Sequence, residues 1–211
     1  MAERFLEDGS EKCTISPDND YKSVFLIGDS IRMGYCGKVK KLLEGKANVF
    51  YPEDNCCNTQ YILALMAFWE NICDFSKVDL VCFNAGHWDV AHFDSDPEPL
   101  TTLDEYAKNI GRIINRIRFR FPNAKVCFVT TTPMNPNGKQ GINPRKTSEI
   151  IKYNAAAVEV AKEKGVSVVD AFALMKDKGE EFFIDYCHLI DEGYDIIAKE
   201  MVSLIEKELN I

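Results

Sequence analysis

Long apolar runs are missing from this sequence. No stretch of its 211 residues reaches the ~18–20 apolar positions that a membrane-crossing helix needs. The first 20 residues are polar and mixed in charge, with no apolar segment of the secretory kind, so a cytoplasmic location is the expectation. Positive charge is in deficit: 25 Lys and Arg stand against 33 Asp and Glu, a net charge of −8. Such a surface repels nucleic-acid phosphates and anionic lipid, so neither nucleic acid nor membrane is an expected partner. A polyanionic substrate would need a local basic patch. The eight cysteines include no C-x-x-C pair, which argues against a zinc ribbon and a thioredoxin-like site. Without an export signal they are expected as reduced thiols. Cys82 and Cys127 lie in apolar runs and read as small buried hydrophobes. Histidine is scarce, with only His87, His92 and His188.

What is present suits one globular unit. Apolar residues make up 46% of the chain, enough for a sizeable core. Residues 1–20 have no periodicity and read as an amino-terminal arm, and residues 21–211 as a single domain. No internal repeat or low-complexity segment interrupts it.

Short continuous apolar runs over residues 23–27, 48–51, 78–83, 124–130 and 166–169 predict strands, several of them buried on both faces. Between them lie runs of helical spacing over 31–43, 60–71, 103–121 and 148–164, then a short helix over 174–181 and a final one over 192–210. Strands alternating with helices imply parallel strands and right-handed crossovers. The expected fold is α/β, a three-layer α/β/α sandwich on a five-stranded parallel sheet.

Ligands of such sheets bind outside the carboxyl ends of the strands. Polar residues stand there at Gly28-Asp29-Ser30, at residues 84–89 and at Thr130, Thr131 and Thr132. Ser30 falls where a helix begins, so unpaired N–H groups and the positive dipole end could stabilise an oxyanion beside it. Equally, Ser30 or Asp29 could be no more than the helix cap. Asp185 and His188, three apart, can share one side of a turn. The carboxylate would then hold one imidazole nitrogen and leave the other to face a nucleophile. A surface histidine beside the last helix is the plainer alternative.

The combination resembles the SGNH/GDSL hydrolases. Ile27-Gly28-Asp29-Ser30 matches their first block. Asp185-Tyr186-Cys187-His188, with Gly193 and Tyr194 following, matches their last. Tyr153-Asn154 and residues 165–170 also look like the family, so the resemblance spans about residues 22–208. It implies a flavodoxin-like sandwich, a serine esterase or acylhydrolase working through an acyl-enzyme, and no cofactor. Ser30 would be the nucleophile, His188 the general base and Asp185 its orienting acid. The expected partner is a small-molecule ester, a short-chain acyl ester or an O-acetylated carbohydrate. Nothing in the sequence fixes an oligomeric state.

The chain departs from the family where the oxyanion is held. Trp88, in Gly86-His87-Trp88-Asp89, occupies the slot usually filled by Asn. The block between residues 52 and 60 lacks its Gly and reads Asn55-Cys56-Cys57-Asn58-Thr59. The Ser30 and Cys57 backbones and the Asn58 and Asn84 side chains are the candidate donors, with capping the alternative for both Asn. Arg32 and Trp88, with His92 and Phe93 near, are candidate pocket residues, against a surface arginine and simple loop packing. Two other readings stand beside the esterase. His87, Asp89 and His92 could hold a metal that activates water. Alternatively, the fold could bind carbohydrate without cleaving it.

Overall fold

Burial explains why the strand runs are continuous rather than alternating. In β1 (Lys22–Ile27) every residue from Ser23 onward is buried. Phe25 and Ile27 enter one apolar core while Val24 and Leu26 enter another on the opposite face. The same division runs through β3 (Leu80–Asn84) and β4 (Lys125–Val129). Val81, Phe83, Val126 and Phe128 face the first core, and Leu80, Cys82, Cys127 and Val129 the second. A strand with core on both sides has no use for a polar face. The computed structural model describes residues 20–211, so the expected arm lies, but for Asp20, outside the described residues.

With β2 (Ala47–Phe50) and β5 (Ser167–Val169), the five strands form one parallel sheet in the order β2-β1-β3-β4-β5. The first core is closed by α2 (Thr59–Leu65), α3 (Leu103–Arg120) and α4 (Thr147–Glu163). The second is closed by α1 (Ser30–Leu42), α5 (Ala171–Met175) and α6 (Asp191–Leu209). This is the expected three-layer α/β/α sandwich on five parallel strands. Among the described residues no helix is long and apolar enough to cross a membrane, and the seven cysteines are unpaired.

Local chemistry sets the helix boundaries. Thr102 caps α3, accepting from the Glu105 N–H, and its hydroxyl reaches the Glu105 carboxylate. Two boundaries differ from the periodicity. The run over 60–71 divides into α2 and a 3₁₀ turn at Phe68–Asn71. The short helix expected over 174–181 begins earlier, because Asp170 accepts from the Ala173 N–H and caps α5.

The chain runs from β1 outward to β2, then crosses back to β3 on the other side of β1. The strand order therefore reverses between β1 and β3, which opens a crevice at their carboxyl ends. Ser30 follows β1 there, and Asn84 ends β3.

Candidate active site

The turn after β1 admits only glycine at its first position. A Cβ on Gly28 would lie 1.9 Å from Asn84 Oδ1 and 2.7 Å from Arg32 Cβ. Asp29 follows as the cap of α1, its Oδ1 accepting from the Ile31 N–H at 3.0 Å. The cap is therefore Asp29, and the Ser30 hydroxyl is left for other work. The same Oδ1 accepts from Asn84 Nδ2 at 2.9 Å. Asp29 is fully buried, and burial pushes its carboxyl up in spite of the Asn84 and Ile31 donors and the charges of Arg145 and Arg32.

Asp185 and His188 sit on a loop closed by an antiparallel bridge between Phe183 and Leu189. Asn135 holds that loop from outside: its N–H donates to Tyr186 O and its Nδ2 to Asp185 O, each at 2.9 Å. Asp185 Oδ1 accepts from the N–H groups of Cys187 and His188, both at 2.8 Å. Oδ2 faces His188 Nδ1 at 2.6 Å. Partial burial pushes the Asp185 carboxyl up. The two backbone donors and the His188 ring together outweigh this and hold it below the usual carboxylate range. An ionised carboxylate only accepts, so Nδ1 carries the proton in the neutral ring and Nε2 is an acceptor. Nε2 lies 2.8 Å from Ser30 Oγ. Residues 155 positions apart in sequence are thus joined in one line, from Asp185 through His188 to Ser30.

The other expected site residues fare differently. Asn84 is buried and braced on both sides of its amide, with Nδ2 on Asp29 and Oδ1 accepting from the Tyr35 hydroxyl at 3.4 Å. The Cys57 N–H is already donated to Asn55 Oδ1 at 2.9 Å. Cys57 has φ +44°, the left-handed region in which glycine is at ease, and it stands in the block where glycine was expected. Asn58 caps α2, accepting from the Tyr61 N–H at 2.8 Å. Trp88 is half-buried and stacks on Phe93 with 6.1 Å between ring centres.

Arg32 is neither a pocket residue nor a surface one. It is 1% exposed, and its guanidinium donates to the carbonyls of Gly28, Pro52 and Asp54. It ties the loop after β2 to the turn below Ser30. The metal trio also fails to assemble. His87 turns inward, with Nε2 3.0 Å from Thr132 Oγ1. Asp89 accepts from the Thr59 N–H and hydroxyl, and burial pushes its carboxyl up to about 6. His92 Nδ1 faces Asp96 O. Each has its own partner. Among the described residues, the group with three ligand-type atoms within 4.8 Å is Asp185, Cys187 and His188, which belongs to the site itself.

Sequence reasoning missed Arg145 and Asn135, both in the segment between β4 and α4. Arg145 is 3% exposed and its charge centre stands 5.9 Å from the Trp88 ring and 5.5 Å from the Tyr186 ring. No motif marks it. The loop carries the basic residues Lys139, Arg145 and Lys146, and nothing in their spacing singles out Arg145.

With this geometry in place, known proteins offer a comparison. The family model described as GDSL-like lipase/acylhydrolase matches residues 26–196. A human protein, isoamyl acetate-hydrolyzing esterase 1 homolog, is 25% identical over 206 residues, covering 89% of this chain and 82% of its own. The rice protein GDSL esterase/lipase WDL1 (Oryza sativa subsp. japonica) is 25% identical over 138 residues. That match covers 61% of this chain, which spans about half (53%) of the rice protein. Two solved structures share the fold. One is a catalytic mutant of the acetylxylan esterase Axe2 from Geobacillus stearothermophilus, with a TM-score of 0.68 at 18% identity, covering 89% of this chain and 94% of that one. The other is the lipase/acylhydrolase from Enterococcus faecalis, with a TM-score of 0.65 at 21% identity, covering 88% and 96%.

Proposed function

The chain belongs to the GDSL-like lipase/acylhydrolase family, a carboxylic ester hydrolase by class, and we propose that it works as a serine esterase with Ser30, His188 and Asp185 as its catalytic residues. One observation carries this reading: the unbroken line of 2.8 Å from Ser30 Oγ to His188 Nε2 and 2.6 Å from His188 Nδ1 to Asp185 Oδ2.

Ser30 Oγ attacks the ester carbonyl and its proton passes to Nε2. Asp185 fixes the tautomer that leaves Nε2 open and stabilises the imidazolium that forms. When the tetrahedral intermediate collapses, the C–O bond to the alcohol breaks and Nε2–H protonates the departing oxygen. Water, deprotonated by the same nitrogen, then attacks the acyl-enzyme and releases the acid and free Ser30.

Charge on the tetrahedral oxygen needs donors. The Ser30 N–H makes no hydrogen bond among the described residues and lies at the positive end of a 13-residue helix. The second Nδ2 hydrogen of Asn84 is the other donor in this reading. The Cys57 N–H would have to leave Asn55 first. We assign the substrate to short-acyl esters, with acetate the leading candidate. The relatives named for isoamyl acetate and for acetylxylan both act, by name, on acetyl esters.

Two measurements test the mechanism. A fluorophosphonate probe should form one adduct, on Ser30, and Ser30→Ala should abolish it. Hydrolysis of para-nitrophenyl acetate should fall at least about 10³-fold in the same variant. Turnover surviving in Ser30→Ala would sink the reading.

A further inference from the structure

Arg145 carries a buried charge close to His188 that the reaction leaves idle. A guanidinium stays charged at any working pH, and a buried charge is normally met by an opposite one. No ion pair among the described residues includes Arg145, whose charge acts on the buried Asp29 carboxyl only from beyond ion-pair distance. Its Nη1 has only neutral neighbours, the Tyr186 hydroxyl and Cys187 Sγ, both at 3.5 Å. Nε is buried without a partner, and Nη2 makes no hydrogen bond among the described residues. The Nε–H and the adjacent Nη2–H lie along one edge of the guanidinium plane, an edge that can take both oxygens of a carboxylate.

This fork is held in place from several sides. Trp88 and Tyr186 rings lie within cation–π reach of it. Gln140 clamps the Arg145 backbone, accepting from its N–H and donating to its carbonyl. Pro144 O accepts from the His92 N–H at 3.0 Å, and Tyr186 Oη donates to Asn143 Oδ1 at 3.1 Å. The fork is also close to the chemistry. Nη1 is 3.5 Å from Cys187 Sγ, which is 3.7 Å from His188 Nδ1. Beside it, His87 Nδ1 is buried and unpartnered.

We propose that Arg145 is a specificity-determining residue that binds a carboxylate of the substrate through its Nε–Nη2 edge, so that the preferred substrates are short-acyl esters carrying a carboxylate near the scissile bond. The inference rests on the esterase reading of Ser30 and narrows its substrate class. It also supplies the local positive site that an anionic substrate needs on a chain of net charge −8. Being buried, the pairing is screened little by salt.

The test compares meta-acetoxybenzoate with its neutral isostere meta-acetoxybenzamide. In the wild type, kcat/KM should favour the carboxylate by at least about tenfold, at low and at high salt. Arg145→Gln should bring the ratio to near one. Arg145→Lys, a point charge without the fork, should fall between. Lys139→Gln, an exposed lysine of the same loop, should leave the ratio as in the wild type and so exclude a bulk-charge effect. A wild-type ratio near one, or a ratio that Arg145→Gln does not change, overturns the proposal. Should Arg145→Gln not fold, inhibition of the wild type by benzoate and benzamide decides it. Benzoate should compete at a concentration at least about tenfold lower, and equal potency overturns the proposal. Failure of the esterase reading has a different signature, turnover persisting in Ser30→Ala. Calorimetric titration of that variant with benzoate reads the fork without any chemistry.

Discussion

Two arginines flank the site, both almost wholly buried, and they end differently. Below Ser30, Arg32 spends its guanidinium on the carbonyls of Gly28, Pro52 and Asp54. Beside His188, Arg145 hydrogen-bonds, among the described residues, only to a hydroxyl and a thiol, which leaves a whole edge unpaired. A saturated guanidinium is a brace, because its donors are consumed in fixing backbone. An unsaturated one keeps free energy of interaction in reserve for a ligand. Burial alone therefore does not separate structural from functional polar groups. The inventory of partners does.

The largest effects come from the residues that lie between these two regions. Ser30→Ala removes the proposed nucleophile that both flank and should cost at least about 10³-fold in kcat/KM, with the unfolding midpoint close to wild type. Asp185→Asn should cost about 10²- to 10⁴-fold, because an amide in place of the carboxylate no longer dictates which imidazole nitrogen carries the proton. Steady-state rates on para-nitrophenyl acetate check both. A variant of Asp185 with wild-type kcat would break the view that His188 is oriented from that side.

Arg32→Met sharpens the contrast between the arginines. It removes the side-chain donor from the buried Pro52 carbonyl and loosens the ties to Gly28 O, which keeps the Cys56 N–H, and to Asp54 O, so unfolding by urea should show a loss of about 2 kcal/mol or more. The preference between the acetoxybenzoate and its amide should persist in whatever fraction is folded. A changed preference with unchanged stability would reverse the two roles.

The smallest effect concerns Asp89, which sits under the same loop as Trp88. Its carboxyl titrates at about 6 in the fold against 3.8 when unfolded, since burial disfavours the ionised form. Between these values the folded state binds more protons than the unfolded one. This group therefore makes the protein less stable as pH rises from about 4 to about 6, and the penalty is complete above that. Asp89→Asn should flatten the slope of the unfolding midpoint against pH in that window. Asp185 works in the opposite sense. Its carboxyl is held low in the fold, so its contribution is present above the unfolded value and fades as pH falls through the folded one. An Asp185→Asn variant that is no less stable than the wild type at neutral pH would contradict this charge-dependent contribution, since the amide oxygen can still accept from the Cys187 and His188 N–H groups.

The opposed fates of the candidate residues mark what was legible. Apolar runs bounded by Gly and polar clusters marked the five strands, most plainly β1, β3 and β4, because a strand buried on both faces has only one composition open to it. Gly28-Asp29-Ser30 and the three-residue spacing of Asp185 and His188 were local patterns, and local hydrogen bonds realise them: the Asp29 cap and the turn at Asp185 each close within three residues. What sequence could not show was where a long side chain goes. Arg32 read as helix surface or pocket, and His87, Asp89 and His92 read as neighbours because they are close in sequence. Only the packing of β1, β3 and the loops decided that Arg32 is a brace, that the trio points three ways, and that Arg145 comes to rest against the Asp185–His188 loop. Covalent order and local hydrogen bonding set the first group. The second depends on contacts between segments 20 to 60 residues apart, and those exist only once the sheet has brought the strand ends together.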